Sequence, residues 1–281
     1  MISTSDGKTF NSVQFNPRTS FLAILNSNDE SDTNVILAKY FLENFRRIPE
    51  LSIYQVAEEC FTSRSSVQRF LKSIGYDTFT ALKDNTAEVI AHQASYHSYA
   101  DHTDYFNYRK DTVVTMMEDI NRMAEKQKLV RLAETIHDSR NVFLVNAEDS
   151  SSAPRVFQQQ MLAMNRLIRI VTSSAQTNPK ILDSLTDQDC LITCSASGNF
   201  TLAVDHVMQE NKAYKALVTL NHTTLFEQSY DYIFYLSDQF TPSNRSLTTI
   251  RNVYTRYGMT YFFDLLFHLY YKRYQNEVSS F

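Results

Sequence analysis

The stretch from Ser52 to Lys83, SIYQVAEECFTSRSSVQRFLKSIGYDTFTALK, reads as two short helices and the start of a third. Ser-Ile-Tyr-Gln at 52–55 has capping-box form: the Ser52 hydroxyl and the Gln55 side chain can each satisfy a backbone group of the first turn. Ile53, Val56, Ala57 and Cys60 then follow the i, i+3, i+4, i+7 spacing of one helix face. Phe61 and Thr62 break the pattern. Ser63 is placed to cap a second helix, with Val67, Phe70, Leu71 and Ile74 as its apolar stripe. Gly75 stands where a C-cap glycine belongs. Asp77 can start a further helix reaching about His92 through Phe79, Leu82, Val89 and Ile90.

The polar face of the second helix holds Arg64, Ser65, Ser66, Gln68, Arg69 and Lys72, with Ser63 at its start. No Asp or Glu occurs from Thr62 to Tyr76. These side chains suit a helix lying in the major groove of double-stranded DNA: Arg can fork onto guanine, Gln onto adenine, and Ser and Lys can hold phosphate. An ordinary solvated helix face fits the spacing equally. The missing carboxylates favour DNA, because solvated faces usually mix charge signs.

Before this stretch, the polar residues to about Asn16 carry no clear period and read as a loose arm. Helices are expected at Thr19–Asn26 and from Asp32 to Phe45, where Pro49 follows. After it, His92 to Lys110 is rich in Tyr, His and Asp without a clean period and reads as a hinge. An amphipathic stretch from Asp111 to about His137 opens a second domain. There, apolar runs at 141–145, 167–171, 190–194, 216–220 and 232–236 alternate with helical patterns near 153–164, 179–185, 201–212 and Leu225. Strands alternating with helices imply a doubly wound parallel sheet. A long apolar-aromatic helix, roughly Ser246 to Tyr274, closes the chain. The expected fold is α/β overall: an all-α helix-turn-helix domain (1–91), a hinge (92–110) and a doubly wound α/β domain (111–281).

Bulk properties narrow the function classes. The chain has 281 residues, 43% hydrophobic, and a formal net charge of −4. Any DNA binding must come from a local patch. Three cysteines without CxxC spacing argue against a disulfide framework or a zinc site and fit a reducing cytosol. The N-terminus lacks a signal-peptide pattern, and Tyr261–Tyr271 is too short to span a bilayer. A cytoplasmic protein without membrane, metal or cofactor is expected.

The segment 52–83 resembles the helix-turn-helix of the RpiR family of sugar-metabolism regulators. The shared features are Ala57, Ser63, the Arg69-Phe70 pair, and Ile74-Gly75-Tyr76 leading to Phe79 and Lys83. The resemblance implies a DNA-binding transcription regulator joined to a sugar-isomerase-type (SIS) domain that binds a phosphosugar. Ser195-Ala196-Ser197-Gly198, after the third strand, looks like the SIS loop S-x-S-G-x-T. Phe200 stands where the family has threonine, and Thr201 follows one residue late. After the first strand the family shows G-x-G-x-S, whereas this chain has Asn146-Ala147-Glu148-Asp149-Ser150. The candidate ligand residues are Ser150, Ser195, Ser197, Gly198, Thr201 and Thr224; as ordinary loop and cap residues they would look the same.

Two other functions fit the resemblance. One is a phosphosugar isomerase-type enzyme, with Glu148, Glu227 or His222 available as a base, though no signature assigns one. The other is a regulator with a degenerate pocket controlled by protein contact. Retention of the helix-turn-helix argues for a non-enzyme. Paired DNA half-sites would call for a homodimer or homotetramer. His92, His97 and His102 in the hinge are better read as a solvated linker than as metal ligands. Cys190 and Cys194 read as core residues, and Tyr261–Tyr271 as a packing face or dimer seam.

Overall fold

The computed structural model describes residues 17–27, 32–92, 101–146, 152–172, 180–238 and 253–278. It divides into two compact units near residue 97.

Among its described residues the first unit is helical: α1 (Pro17–Ser27), α2 (Thr33–Glu43), α3 (Ile53–Glu59), α4 (Arg64–Ser73) and α5 (Phe79–His92), with a 3-10 turn at Phe45–Arg47. Three of the starts have a side-chain cap. Asp32 caps α2 by accepting from the Asn34 N–H. Ser52 and Gln55 form the expected capping box on α3. Ser63 caps α4 by accepting from the Ser66 N–H. α4 ends as Gly75 turns left-handed at φ +86°. The N–H groups of Tyr76 and Gly75 then reach the carbonyls of Leu71 (2.9 Å) and Lys72 (3.1 Å). The core is built on a stack of Phe21, Phe41 and Phe70, with ring centroids 5.2 to 6.0 Å apart. It ties α1, α2 and α4 together, with Val56 and Val67 buried beside it.

The second unit opens with α6 (Tyr105–Met123) and α7 (Lys126–Asp138). The amphipathic stretch read from Asp111 to about His137 is two helices, and α6 begins inside the expected hinge. Neither Gly nor Pro marks the break at Ala124. The two helices bury separate stripes: Met116 and Ile120 on α6, and Leu129, Leu132, Ala133 and Ile136 on α7.

Then come β1 (Val142–Asn146), α8 (Ala153–Leu162), β2 (Ile168–Thr172), α9 (Lys180–Asp183), β3 (Cys190–Ser195), α10 (Asn199–Glu210), β4 (Tyr214–Thr219) and β5 (Tyr232–Tyr235). Sheet order is β2-β1-β3-β4-β5, with every neighbouring pair parallel. This is the doubly wound sheet expected from the alternation, with strand ends shifted by a residue or two. β1 and β3 are buried along their whole length, as central strands of a covered parallel sheet must be. The chain ends in a π-helical turn (Tyr254–Gly258) and α11 (Met259–Val278). Phe262, Phe263, Leu266 and Tyr270 of α11 join the core. The aromatic run is thus largely a packing face.

At the N-terminal edge of the sheet, Asp189 is fully buried. Its carboxylate accepts from Arg140 (2.9 and 3.3 Å), Asn141 (2.7 Å), and the N–H (2.9 Å) and hydroxyl (3.0 Å) of Thr186. Burial alone would raise its pKa, but these donors outweigh burial and hold it at about 2. Cys190 and Cys194 are buried free thiols, and burial pushes both up to about 12.

Candidate functional site

The turn between α3 and α4 closes like the end of α4. Thr62 N–H reaches the Ala57 carbonyl (2.9 Å), and Phe61 N–H reaches that of Glu58 (3.1 Å). The left-handed residue here is Phe61, at φ +50°. Its side chain is 98% exposed. A bulky residue with positive φ is a backbone outlier, because its Cβ crowds the peptide.

α4 divides the expected DNA-contacting residues into groups. Val67, Phe70 and Leu71 are buried. Opposite them, Ser65, Arg69 and Lys72 form an exposed stripe at i, i+4, i+7. Gln68 lies at the edge, its amide donating to the Asp77 carbonyl at 2.6 Å. Ser63 and Ser66 build the helix start: their hydroxyls lie 3.0 Å apart, and the Ser66 oxygen also accepts from Arg69 at 3.3 Å. Arg64 leans back onto α3, where its guanidinium lies 4.3 Å from the centre of the Tyr54 ring. Tyr54 and Phe61 were not expected from sequence. Tyr54 is legible only as a non-core aromatic inside a capping box, and Phe61 only as a bulky residue in a turn.

The second candidate site lies where β1 and β3 are neighbours and the chain leaves them toward opposite edges of the sheet. Such switch points leave a crevice at the carboxyl ends of the strands. Ser195 ends β3, and its carbonyl accepts from the Gly198 N–H at 3.1 Å. Ser197 Oγ accepts from the Asn199 N–H at 3.3 Å. Gly198 is left-handed at φ +77° and opens α10. A Cβ added there would lie 2.6 Å from Asn221 Nδ2 and 2.8 Å from Asn221 Cβ. Asn221 is itself buried and donates to the Ser197 carbonyl at 3.0 Å. Its Oδ1 accepts from the Thr223 N–H at 3.0 Å. The loop is thus clamped between β3 and β4.

The structure brings Ser195, Ser197 and Gly198 together on this loop. Thr201 is fully buried in the first turn of α10. Thr224 is exposed at the start of a 3-10 turn (Thr224–Gln228). Phe200 is packed inside, at 4% exposure. Ser150, with Glu148 and Asp149, lies outside the described residues. With the Gly198 and Asn199 N–H groups engaged inside the loop, the Ser197 hydroxyl is left able to donate.

Of the bases considered for isomerase chemistry, His222 donates from Nε2 to the Ser237 carbonyl at 2.5 Å. Its ring stacks on Tyr235 at 4.0 Å. Glu227 is exposed. Among the described residues no cluster of His, Cys, Asp or Glu could hold a metal ion. No described helix is long and apolar enough to cross a membrane.

Residues 22–93 match the family model described as a helix-turn-helix domain of the rpiR family. Over 137 residues the chain is 31% identical to an uncharacterised HTH-type transcriptional regulator of Caldanaerobacter subterraneus. That alignment covers 48% of this chain and 43% of the relative, so it spans less than half the length of either. Among solved structures, the chain is similar to the Vibrio vulnificus NanR protein complexed with ManNAc-6P: 14% identity over 94% of this chain and 96% of that one, TM-score 0.48. It is also similar to the sugar isomerase domain of an RpiR transcription factor from Sphaerobacter thermophilus: 13% identity over 61% and 94%, TM-score 0.45. These scores are low, and the fold of the second unit is defined by its own strand order. The first unit, with its capped α3 and α4 and the tight turn between them, is a helix-turn-helix domain of the rpiR family.

Proposed function

We propose that this chain is a cytoplasmic, sequence-specific DNA-binding transcription regulator, not an enzyme, whose second domain responds to a phosphosugar-type ligand. The carrying observation is α4: a capped helix, held by a Phe70-centred core, with an exposed stripe of Ser65, Arg69 and Lys72 and no carboxylate from Thr62 to Tyr76. Ser65 and Arg69 face the bases, Gln68 reaches the edge of the site, and Lys72 holds a phosphate. Ser63 and Ser66 present the start of the helix to the DNA backbone.

The effector reading is supported by the clamped Ser195–Gly198 loop at the switch point, where the Ser197 hydroxyl can donate to a phosphate beside the start of α10. Effector binding must favour one arrangement of a homodimer or homotetramer over another, because a ligand shifts an equilibrium only by its difference in affinity. The test is site selection from random DNA by the full chain, repeated with a panel of phosphosugars. Enrichment of one sequence, changed by a phosphosugar, is expected. No enriched sequence under any condition refutes the DNA reading. An enriched sequence insensitive to every phosphosugar refutes the effector reading alone.

A further inference from the structure

We infer that Tyr54 is a positioning residue that lays Arg64 along the flank of the helix-turn-helix, where its guanidinium meets a DNA phosphate instead of a base. This rests on the DNA-binding reading above. The first observation is the stack itself, with the Arg64 guanidinium carbon 4.3 Å from the Tyr54 ring centre. The second is where it sits. Arg64 is the first residue of α4, and Tyr54 lies in the first turn of α3. Successive helical residues turn by about 100°. Arg64 therefore lies off the outward stripe of Ser65, Arg69 and Lys72, toward α3 and away from the side that would meet base edges. The third is the charge environment. Glu58 is one turn along α3 on the Tyr54 side, yet among the described residues Arg64 makes no ion pair with any carboxylate.

A guanidinium held over a ring and not paired with a carboxylate keeps N–H groups available to fork onto phosphate oxygens. Stacking also removes rotamer freedom before DNA arrives, so less ordering entropy is lost on binding. Tyr54 is 61% exposed. Truncating it leaves no core cavity, and its ring is free to act on Arg64.

The experiment is a double-mutant cycle in the full chain: Tyr54→Phe, Tyr54→Leu, Arg64→Ala and Tyr54→Leu/Arg64→Ala. Affinity is measured on the selected duplex and on a scrambled duplex of equal length, at several salt concentrations, with thermal melts of each variant. Arg64→Ala should weaken both duplexes by a similar factor, about five- to tenfold, and reduce the salt slope by about one. Tyr54→Leu should weaken both by about two- to tenfold, while Tyr54→Phe, which keeps the ring, stays near wild type. Tyr54→Leu should add nothing once Arg64 is alanine. Additive losses, or a changed base preference in Arg64→Ala, overturn the assignment. So does a Tyr54→Leu that lowers the melting temperature without changing affinity. If the wild type selects no duplex, the DNA reading falls; if it selects one and the cycle is additive, only the role of Tyr54 falls.

Discussion

Gly198→Ala is expected to destabilise the second unit by about 2–3 kcal/mol, and the figure can be built from the geometry. At φ +77° an L-residue meets its own carbonyl, a penalty of roughly 1–2 kcal/mol. The new methyl would also sit 2.6 Å from Asn221 Nδ2 and 2.8 Å from Asn221 Cβ, so that buried side chain must move. Moving it breaks the Asn221 bonds to the Ser197 carbonyl and from the Thr223 N–H, worth roughly 1 kcal/mol each. Alanine restricts the unfolded chain more than glycine does, which returns about 0.5–1 kcal/mol. In a domain of this size the net loss corresponds to about 5–10 °C in melting temperature.

Scanning calorimetry of the full chain is the assay, with Asn221→Ala and the double mutant completing a cycle. Asn221→Ala removes the Nδ2 and Cγ contacts and both hydrogen bonds but keeps the Cβ 2.8 Å away, so the alanine at 198 should then cost less than in the wild-type background, about 1–2 kcal/mol. A Gly198→Ala protein melting with wild type, or additive losses in the double mutant, would refute the clamp between β3 and β4.

Asp189 and Phe61 carry two further predictions. The Asp189 carboxyl is depressed from near 3.8 to about 2, so its contribution is full above pH 4 and lost as pH falls through 2. Asp189→Asn should lose roughly 2 kcal/mol at neutral pH and flatten the acid dependence in that window. Urea titrations from pH 2 to 7 measure this, and parallel wild-type and mutant curves would disprove it. Phe61→Gly removes a fully exposed ring from a left-handed position. It should stabilise the helix-turn-helix or leave it unchanged, by roughly 0–1 kcal/mol, since backbone relief and glycine entropy nearly cancel. A loss above about 1 kcal/mol in thermal melts would mean that the ring packs somewhere.

What was legible from sequence was what is encoded locally. The Ser52–Gln55 box, the Ser63 cap and the left-handed Gly75 depend on residues three or four apart, and all were readable. The five strands were readable because a parallel sheet buried on both faces demands continuous apolar runs such as CLITC and NVFLV. The break at Ala124 was invisible: it arises from two helices seeking different core surfaces, and no Gly or Pro records it. The Tyr54–Arg64 stack was invisible for a related reason. Its members sit ten positions apart and meet only because the turn at Phe61 folds α4 back onto α3. The clash that reserves position 198 for glycine comes from Asn221, brought near only because β4 pairs with β3. Thr201 looked like a hydroxyl beside the loop, but its place in the first turn of α10 turns it into the interior.

The charge balance makes α4 the more significant. Residues 17–92 carry eight Lys and Arg against ten Asp and Glu, so even the helix-turn-helix domain has no basic excess. Affinity for a polyanion must then come from arrangement. At physiological salt, charges separated by more than about 8 Å are largely screened. A phosphate at the α4 surface would therefore feel Arg64, Arg69 and Lys72 and little of the remaining chain. Glu59 on α3 accepts a hydrogen bond from the Tyr40 hydroxyl at 3.0 Å. With Arg69 on the bases, the two phosphate contacts of Arg64 and Lys72 imply a salt slope of about −2 per subunit. Near roughly 0.01 M salt the screening length, about 30 Å, approaches the size of the domain itself, and repulsion from the remaining carboxylates should flatten the slope. Filter binding across that range measures it. A straight line steeper than about −6 per subunit would place the binding charge outside α4.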